Sequence, residues 1–345
     1  MAKQILKQSV GLDVSKDTIA ACFSQQETAR QFRILSSRTF ASNASGFQQM
    51  HRWISRQRHQ STALHLLMEA TGVYYEELAY FLQENGYRVC VLLPNKSSAF
   101  AKSLDYKSKT DKVDAKKLAQ MSLERDLPKW TPPGALMLKI KRLCRERQEL
   151  IDEKTALGNR LHAKEHSHAP EKSSIKRAKA AIKFFEKQIS ETKQAIMAAV
   201  EQDACIKQKL EKVCSIKGVG IITAATIVSE ANGFVLFKNK AQLVSYAGYD
   251  VVENQSGTSL NSPAKISKKG NHHIRKALYF PAWTAIKHLP ELETVYRRVF
   301  DKTKIKMKAA VAVQRKLLVL IYTLYKNNQT FDLNYQSVKK PNKPH

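Results

Sequence analysis

Residues 64–94 decide the fold of the first part of the chain, and they read LHLLMEATGVYYEELAYFLQENGYRVCVLLP. The stretch opens with a short apolar run, Leu64–Glu69, whose length suits a buried strand. Tyr74–Asn85 then repeats its apolar residues at helical spacing and stops at Gly86, a common residue after the last helical turn. Arg88–Leu93 is a second buried-strand pattern, and a proline ends it. Strand, helix and strand in this order predict an α/β domain.

The chain before this stretch continues the alternation of strands and helices. Ser9–Phe23 has the pattern of a strand that is interrupted by the polar residues Ser15–Asp17. Gln31–Phe40 predicts a second strand, and Ser45–Gln60 predicts a helix. We therefore expect one α/β domain over residues 1–130.

The sequence changes character at Trp130–Gly134, where two prolines and a glycine indicate a domain boundary. Two long charged segments follow, from Ala135 to about His166 and from Ile175 to about Gln202, with apolar residues at helical spacing. A turn-like piece joins them, so residues 131–205 predict an antiparallel coiled-coil arm. Because the heptads are irregular, two ordinary helices packed on a globular core remain an alternative.

The remaining chain predicts a third domain and a tail. Residues 206–330 are helical in pattern at both ends, with a loop-rich centre at Gly248–Gly270. Residues 331–345 end in Lys-Pro-Asn-Lys-Pro-His and have the composition of a basic tail. The predicted fold class is thus α/β plus α, with a mainly helical C-terminal domain.

The charge of the chain indicates a polyanionic partner. Lys and Arg number 58 against 30 Asp and Glu, a formal net charge of +28. Residues 1–135 contribute +7 and residues 136–345 contribute +21, so the strongest polyanion surface is expected late in the chain. Counterion release makes binding to such a partner strong and sensitive to salt. A membrane surface is a poor alternative, because the sequence has no apolar run of about 18 residues and no lipidation motif.

The cysteines argue against a zinc site and against a disulfide framework. There are 5 of them, they are scattered, and none stands in a CxxC pair. Such a set is typical of a reducing cytosol, and the start of the chain lacks the pattern of a signal peptide.

Four carboxylates stand out by their positions. Asp13 lies inside the first strand, Glu69 ends an apolar strand, and Asp111 and Asp114 begin a helix at i, i+3 spacing. An acid within an apolar strand is costly to bury unless it is paired or binds a cation. Four carboxylates brought together repel one another, and a divalent metal relieves that repulsion. Mg²⁺ prefers carboxylate and phosphate oxygens, and two such ions can assist phosphoryl transfer.

Each of the four acids also has an ordinary structural explanation. Asp13 can cap a turn, Glu69 can cap the helix that begins near Gly72, and the acids at 111 and 114 can favour the helix macrodipole. The ordered set on a strand, a strand and a helix is more specific, because an RNase H-like nuclease core distributes its metal ligands in this way.

Three blocks around these acids resemble one protein family. Gly11-Leu-Asp-Val-Ser-Lys16, Glu69-Ala-Thr-Gly-Val-Tyr74 and Lys109-Thr-Asp-Lys-Val-Asp-Ala115 are similar to the motifs of the DEDD-type insertion-sequence transposases. The resemblance implies an N-terminal domain like that of the RuvC Holliday-junction resolvase. It also implies a catalytic tetrad that binds Mg²⁺ or Mn²⁺, formed by Asp13, Glu69, Asp111 and Asp114.

A second resemblance covers Tyr246–Thr258 and Ile266–Tyr279, which are similar to the C-terminal transposase domain of the same family. It implies a serine nucleophile at Ser256, in a Ser-Gly step. The chain departs from the family at Tyr249–Val251, where a proline is common, and this loosens the local register. From the residues alone Ser256 can also be a turn residue. The competing serines are Ser259, Ser262 and Ser267.

Basic residues around a Gly-Asn turn predict contacts with nucleic-acid phosphates, although a solvated surface is the alternative. They are Lys265, Lys268, Lys269, Arg275 and Lys276. His272 and His273 can contact phosphate or cap the helix that follows. The amides of Gly218-Val-Gly220 resemble a helix-hairpin-helix turn that holds a backbone phosphate, and a plain helix-helix turn is equally consistent with the sequence.

The family resemblance implies a recombinase that inserts and excises its own element. Its expected partners are donor and target double-stranded DNA, a non-coding bridge RNA that guides it, and further copies of itself in a homo-oligomer. No membrane partner is expected, and the location implied is the bacterial cytoplasm, on the nucleoid. Two alternatives remain open from the residues: a Holliday-junction resolvase or metal-dependent nuclease that uses water, and a non-enzymatic nucleic-acid-binding protein.

Overall fold

A computed structural model describes residues 4–28, 31–104, 110–256 and 260–332 of the chain. The chain divides into two compact units, Met1–Pro132 and Pro133–His345. None of the helices in the described ranges is long and apolar enough to cross a membrane. The mixed α/β class of the first unit and the mainly helical class of the second are confirmed.

The first unit is built on a five-stranded mixed sheet. Its strands have the order β3-β2-β1-β4-β5, with β2 antiparallel to β1 and β3, and with β1, β4 and β5 parallel. The elements are β1 (Lys7–Val14), β2 (Thr18–Thr28), β3 (Gln31–Ala41), α1 (Ala44–Gln57), β4 (Leu64–Glu69), α2 (Tyr75–Glu84), β5 (Arg88–Leu92), α3 (Pro94–Ala101) and α4 (Asp111–Glu124).

Ser9–Phe23 is two antiparallel strands and not the single interrupted strand that the sequence predicts. The polar break is a tight turn, in which the Ser15 hydroxyl oxygen accepts from the Thr18 amide at 3.2 Å and donates to the Thr18 carbonyl at 2.9 Å. The side chain thereby satisfies backbone groups that would otherwise continue a strand. As a result β2 folds back beside β1.

Helices cover both faces of this sheet. On one face, α1 and α2 pack against the larger apolar cluster, which contains Phe47, Met50 and Ile54 from α1. Asn43 begins α1 because its side chain accepts from the Gly46 amide at 2.9 Å. On the other face, α4 lies over β1 and β2. Apolar residues therefore fill both sides of the central strands, as expected for parallel strands.

Small residues let α4 approach the sheet closely. A Cβ at Gly11 would lie 2.0 Å from the Ala115 carbonyl oxygen and 2.3 Å from the Ala119 amide nitrogen. Ala20 and Cys22 on the neighbouring strand are buried in the same contact. Only glycine fits at this position of β1, so this close contact fixes where the first turn of α4 meets the end of the strand.

The second unit contains nine helices within its described part, one short 3-10 turn and one hairpin. They are α5 (Ala135–Glu165), α6 (Lys172–Glu201), α7 (Ala204–Cys214), α8 (Ile221–Glu230), the turn Asn232–Phe234, α9 (Lys240–Tyr246), β6 (Val251–Ser256), β7 (Leu260–Ile266), α10 (His272–Ala277), α11 (Tyr279–His288), α12 (Pro290–Thr303) and α13 (Lys306–Asn327). The sequence predicts loops over Gly248–Gly270, and the structure has the antiparallel hairpin β6–β7 there.

The helices α5 and α6 form an antiparallel pair. Their inner ends are buried in the core of the second unit, through Ile140 and Cys144 of α5 and Ile196 of α6. Their outer part is held by exposed ion pairs, among them Lys179 with Glu165 at 2.8 Å. Whether this pair acts as a coiled-coil arm between protomers stays a prediction.

Candidate active site

Asp13 and Glu69, two of the four predicted acids, lie on neighbouring strands at the same end of the sheet. Leu12 of β1 is opposite Met68 of β4 in a parallel pair, so Asp13 and Glu69 come next on the same two strands. Successive residues of a strand alternate between faces, and Gly11 faces α4, so Asp13 faces α4 as well. Both carboxylates are half-buried and line one cleft of about 640 Å³.

The third acid in this cleft comes from the first turn of α4. Thr110 begins the helix, and its hydroxyl oxygen accepts from the Val113 amide at 3.3 Å. Asp114 lies one turn in and lines the cleft together with Asp13 and Glu69. We call the cleft of these three carboxylates the acid cleft.

Asp111 lies outside the acid cleft. It is exposed and lines a separate pocket of about 410 Å³, together with Thr18, Ala20 and Thr39. The i, i+3 spacing does place Asp111 and Asp114 on related sides of α4. The helix crosses β1 and β2, however, and the two carboxylates reach different pockets. The structure thus brings together three of the four acids of the predicted tetrad.

Protein donors hold Glu69 and Asp114 in the acid cleft. The buried Ser97 hydroxyl donates to Glu69 Oε2 at 2.5 Å, and Thr71 donates to Glu69 Oε1 at 3.2 Å. Lys117 lies 2.8 Å from Asp114 Oδ1, with only 13% of its side chain exposed. An ammonium group therefore supplies positive charge among three acids, where like charges would otherwise repel.

The acid cleft has the donor chemistry that a divalent metal requires, because three carboxylates face a common space. Within the described residues, no three His, Cys, Asp or Glu side chains are close enough together to hold one ion. A metal bound here would compete with Lys117 for Asp114.

The proposed serine nucleophile lies at the end of a strand. Ser256 is the last residue of β6, and its backbone is paired with Leu260 of β7. We call β6, β7 and their connection the serine hairpin. The side chain of Ser256 and the whole of Ser259 lie outside the described part of the chain, as does the side chain of Ser262.

Ser267, the remaining candidate, forms hydrogen bonds at the base of the serine hairpin. Its amide donates to the Asp250 carbonyl at 2.7 Å, and its hydroxyl oxygen accepts from the Lys269 amide at 3.3 Å. These bonds close the turn after β7. They give Ser267 a structural role.

Two tight turns lock together beneath the serine hairpin. Gly248 has a φ of +73°, and the Lys268 amide donates to its carbonyl at 3.1 Å. The Asn271 amide donates to the Tyr246 carbonyl at 2.7 Å. A Cβ at Gly270 would lie 2.4 Å from that same carbonyl oxygen, so only glycine fits there. The Lys-Gly-Asn turn therefore fixes the exit of β7 against the entry of β6.

A buried charged network supports these turns from below. Glu230 at the end of α8 has a side chain that is 0% exposed, and Arg145 of α5 donates to both its oxygens, at 2.5 and 2.9 Å. Asn271 Nδ2 donates to Glu230 Oε2 at 2.8 Å, and the Tyr246 hydroxyl donates to the Glu230 carbonyl at 3.1 Å. We call these four residues the Glu230 network. Burial by itself raises the pKa of Glu230, but the hydrogen bonds and charge of Arg145 hold that pKa below its usual value.

The basic residues near the Lys-Gly-Asn turn divide into two groups. Lys265, Lys268 and Lys269 are exposed. Arg275 is half-buried and donates to the Ala247 carbonyl at 2.7 Å, and burial lowers its pKa. Lys276 pairs with Asp152 of α5 at 2.5 Å. All four lysines are thus exposed, although Lys276 also pairs with Asp152 at the surface, while Arg275 serves an internal contact.

The two histidines of α10 do not cap it. Asn271 does so, because its side-chain oxygen accepts from the Ile274 amide at 3.2 Å. The rings of His272 and His273 lie 3.9 Å apart, and burial lowers the pKa of His273 to about 4. His273 is therefore neutral at physiological pH, which removes it as a charged phosphate contact.

The Gly218-Val-Gly220 segment connects α7 and α8. Gly218 has a φ of +94°, and a Cβ there would lie 2.7 Å from Thr284 Cβ of α11. This glycine serves close packing between helices. Gly220 precedes the first residue of α8 as its N-cap, and a Cβ there would meet open space.

Two family models match the chain. Residues 10–164 match the DEDD transposase model, described as a transposase, and residues 210–297 match the model described as "Transposase IS116/IS110/IS902 family". The first match contains all four acids, and the second contains the serine hairpin. The chain belongs to the IS110-type transposase family.

Curated relatives agree with this assignment. A pilin gene-inverting protein of Moraxella bovis is 28% identical over 334 residues, which is 94% of this chain and 98% of that protein. The pilin gene-inverting protein of Moraxella lacunata has the same identity and coverage. An uncharacterized 43.6 kDa protein of the insertion element IS110 of Streptomyces coelicolor is 25% identical over 34% of this chain and 29% of that protein.

Among solved structures, T. thermophilus RuvC in complex with a Holliday junction substrate matches at 16% identity, covering 32% of this chain and 90% of that chain. The TM-score is 0.24, so this likeness adds nothing to the fold described above.

In this transposase, sequence motifs do not predict several of the residues that support the site. Lys117 follows Asp114 by three residues on a helix, so helical spacing alone could have indicated their pair. Ser97 and Arg145 are different, because each reaches its acid across a long stretch of sequence. No local pattern marks such contacts.

Proposed function

We propose that this transposase inserts and excises a mobile DNA element by serine attack on DNA phosphodiesters, with divalent metal at the acid cleft and a bridge RNA as guide. Membership of the IS110-type family and the pilin gene-inverting relatives support recombinase activity in general. The observation that carries the finer proposal is the meeting of Asp13, Glu69 and Asp114 in one cleft, at the ends of two parallel strands and the start of a helix.

The layout of the first unit supports phosphoryl transfer. Acids on a strand, a second strand and a helix are the arrangement of an RNase H-like nuclease core. Half-buried carboxylates that share a cleft are expensive unless a cation or a hydrogen bond compensates them. A role in holding metal explains why all three face the same space, whereas separate capping roles do not.

Asp13, Glu69 and Asp114 are the residues that would hold Mg²⁺, or Mn²⁺ in its place. The bound metal would stabilise negative charge on the reacting phosphate oxygens. Ser97 orients the Glu69 carboxylate, and Lys117 lowers the repulsion among the acids before metal and DNA arrive. We assign Asp111 to the same tetrad from the family motif, although its carboxylate lies in the neighbouring pocket.

The chemistry assigned to Ser256 conserves the energy of the phosphodiester. A bond forms between Ser256 Oγ and the scissile phosphorus, and the bond from phosphorus to the leaving sugar oxygen breaks. The serine proton passes to a base, and the leaving oxygen gains a proton. The reverse reaction with an exchanged strand rejoins the DNA and releases the serine. Attack by water would lose this energy, so strand exchange without ATP requires a hydroxyl nucleophile, which Ser256 would supply.

The second unit offers supports for the partners of this reaction. Lys265 of β7 and the nearby Lys268 and Lys269 have exposed side chains that suit DNA phosphates. The amide of Gly220 suits a further backbone phosphate. We propose that the outer part of the α5–α6 pair joins protomers in a homo-oligomer. The proposed domains are a RuvC-like metal-binding domain (1–130), a coiled-coil arm (131–205), a transposase domain with the serine (206–330) and a basic tail (331–345). The tail lies outside the described residues from 333 onward.

A covalent-adduct assay tests the proposal. Purified protein is incubated with DNA that carries the element ends, with RNA transcribed from the non-coding flank of its gene, and with Mg²⁺. We expect a protein–DNA adduct that survives denaturing electrophoresis and depends on both RNA and Mg²⁺. Cleavage of the DNA without an adduct would instead support a metal-dependent nuclease. Binding without cleavage or adduct would support a non-enzymatic protein.

A further inference from the structure

A long stretch of the first unit has arginine as its only charged residue. Residues 29–68 contain six arginines and no lysine, aspartate or glutamate. The first 135 residues as a whole have a net charge of only +7, so this stretch concentrates most of that excess. Arginine binds phosphate with a planar fork of donors, which lysine lacks.

Three of these arginines line one pocket between β3 and α1. Arg38 comes from β3, and Arg52 and Arg56 lie one turn apart on α1. The pocket has a volume of about 430 Å³, and all three arginines are exposed. The remaining lining residues are Ser36, Gln49, Trp53 and Gln57. We call this site the arginine pocket, and it contains no acidic side chain.

The floor of the arginine pocket is rigid. The Ser36 hydroxyl donates to Gln57 Oε1 at 2.5 Å, and Gln57 Nε2 donates to the Trp53 carbonyl at 3.1 Å. The Trp53 ring packs edge-on against Phe40, with centroids 5.5 Å apart. The Arg38 guanidinium lies 5.4 Å from the centroid of the same Phe40 ring. The walls are thus held in place, while the guanidinium groups of Arg52 and Arg56 have no ion-pair partner in the part of the chain that the structure describes.

The arginine pocket and the acid cleft lie on opposite faces of the sheet. Thr39 lines the pocket under α4, on the same face as Asp13, while its neighbour Arg38 points to the face covered by α1. A nucleic acid segment whose scissile phosphate sits in the acid cleft cannot place its adjacent phosphates in the arginine pocket, because the sheet lies between them. The arginine pocket therefore suits a second polyanion.

We propose that the arginine pocket binds the phosphodiester backbone of the guide RNA. This inference rests on the proposed function, in which donor and target DNA must both reach the acid cleft to react, whereas the guide RNA does not. One phosphate among three guanidinium groups gains charge-assisted hydrogen bonds. A pocket with exposed cationic groups recognises backbone, not base sequence.

Binding measurements with matched hairpins test the arginine pocket. The probes are the fluorescein-labelled RNA of the non-coding flank and a DNA of the same sequence, measured by anisotropy with the full-length protein. We expect R38Q/R52Q/R56Q to weaken RNA binding by about tenfold or more, and to lower the salt slope by about 0.7, the contribution of one single-strand phosphate contact. Binding of the DNA should change less than twofold.

Two control variants accompany this measurement. R33Q/R58Q removes two arginines of the same stretch that lie outside the pocket, and it should retain RNA affinity within about twofold. R38K/R52K/R56K keeps the charge but loses the forked donors, and it should fall between wild type and the glutamine variant. All these side chains are exposed, so folding should persist, and the single variants provide the same test if the triple variant fails to fold.

The outcomes separate this inference from the proposed function. Unchanged RNA affinity in R38Q/R52Q/R56Q would overturn the arginine pocket, and so would a loss confined to DNA. If wild-type protein binds its flanking RNA no better than an unrelated RNA of equal length, then RNA guidance itself fails. If the arginine pocket contributes to RNA binding, the wild type should prefer its flanking RNA over an unrelated RNA, and R38Q/R52Q/R56Q should bind the flanking RNA more weakly.

Discussion

The acid cleft and the serine hairpin are held in position by different interactions. The acid cleft depends on regular backbone: two parallel strands, one helix, and a glycine that lets them touch. The serine hairpin depends on polar groups at its base, with the Glu230 network beneath two interlocked turns. Carboxylates that gather around a metal need fixed backbone positions. The proposed nucleophile, which would have to meet and later release DNA, needs a firmly held base.

The largest effect is expected from the acid cleft. Asp13→Asn keeps the shape of the side chain but removes one metal-binding charge, so DNA cleavage should fall by orders of magnitude. Binding of RNA and DNA should stay within about twofold, because the basic surfaces lie elsewhere. Cleavage kinetics on labelled element ends, together with anisotropy, measure the two quantities.

Asp111→Asn sharpens this prediction, because Asp111 lies in a separate pocket. If it is as inactive as Asp13→Asn, the fourth acid reaches the metal during the reaction. If it retains most activity, the working set is the three acids of the cleft. Normal cleavage by Asp13→Asn in Mg²⁺ would contradict the metal role altogether.

The Glu230 network gives the next largest effect. Glu230→Ala leaves Arg145 and Asn271 without their buried partner, and we expect a loss of about 2–4 kcal/mol in the free energy of unfolding. Urea unfolding measures it. Glu293→Ala removes an exposed partner of Arg297 and serves as the control, with an expected loss of about 0.5 kcal/mol or less. Equal losses in both variants would mean that the network does not support the hairpin.

The same network predicts a pH dependence of stability. The pKa of Glu230 is lower in the folded chain than in the unfolded chain, so the carboxylate contributes stability that is fully present above the unfolded pKa of about 4.3. That contribution is lost as the pH falls through the folded pKa. Glu230→Gln should therefore flatten the acid side of the stability profile. A profile parallel to that of the wild type below pH 5 would contradict this account.

Gly11→Ala tests the close contact of strand and helix. The added methyl group overlaps the backbone of α4, so the helix must move outward. We expect a cost of about 1–3 kcal/mol, together with a loss of cleavage, because Asp114 moves with α4. Gly158→Ala in the exposed part of α5 is the control and should be neutral or slightly stabilising. Full activity in Gly11→Ala would show that the cleft tolerates displacement of the helix.

Lys117→Met gives the smallest expected effect, and it is a gain in metal affinity, whereas the other variants lose activity or stability. Removing the ammonium group from Asp114 should raise the affinity for Mg²⁺ by several-fold, since the metal no longer competes with a fixed cation. Isothermal titration calorimetry without nucleic acid measures this directly. Lys116→Met, on the same helix, should leave the affinity unchanged. Weaker Mg²⁺ binding in Lys117→Met would contradict the competition.

Local patterns in the sequence were sufficient for much of the first unit. Apolar runs predict β4 and β5, and Gly86 marks the end of α2. The acids could be placed on their elements, and parallel neighbouring strands bring Asp13 beside Glu69. Periodicity alone did not show that Ser15 turns the chain, because that depends on hydrogen bonds of one side chain.

Local sequence patterns do not predict contacts between residues that are far apart in the chain. The partner of Glu230 lies 85 residues away, and its other contact, Asn271, lies 41 residues away. The hairpin β6–β7 was missed because its strands are polar and contain Pro263, which weakens a strand pattern. The separation of Asp111 from Asp114 depends on how α4 crosses the sheet, which spacing along one helix does not determine.

The position of the covalent bond to DNA tests the central claim most directly. The adduct formed with Mg²⁺ and RNA is digested with nuclease and protease, and mass spectrometry identifies the residue that carries the nucleotide phosphate. We predict a phosphonucleotide on Ser256, and no adduct at all from Ser256→Ala, although that variant should still bind RNA and DNA. A phosphonucleotide on Ser259 or Ser262, or an undiminished adduct from Ser256→Ala, would contradict the account.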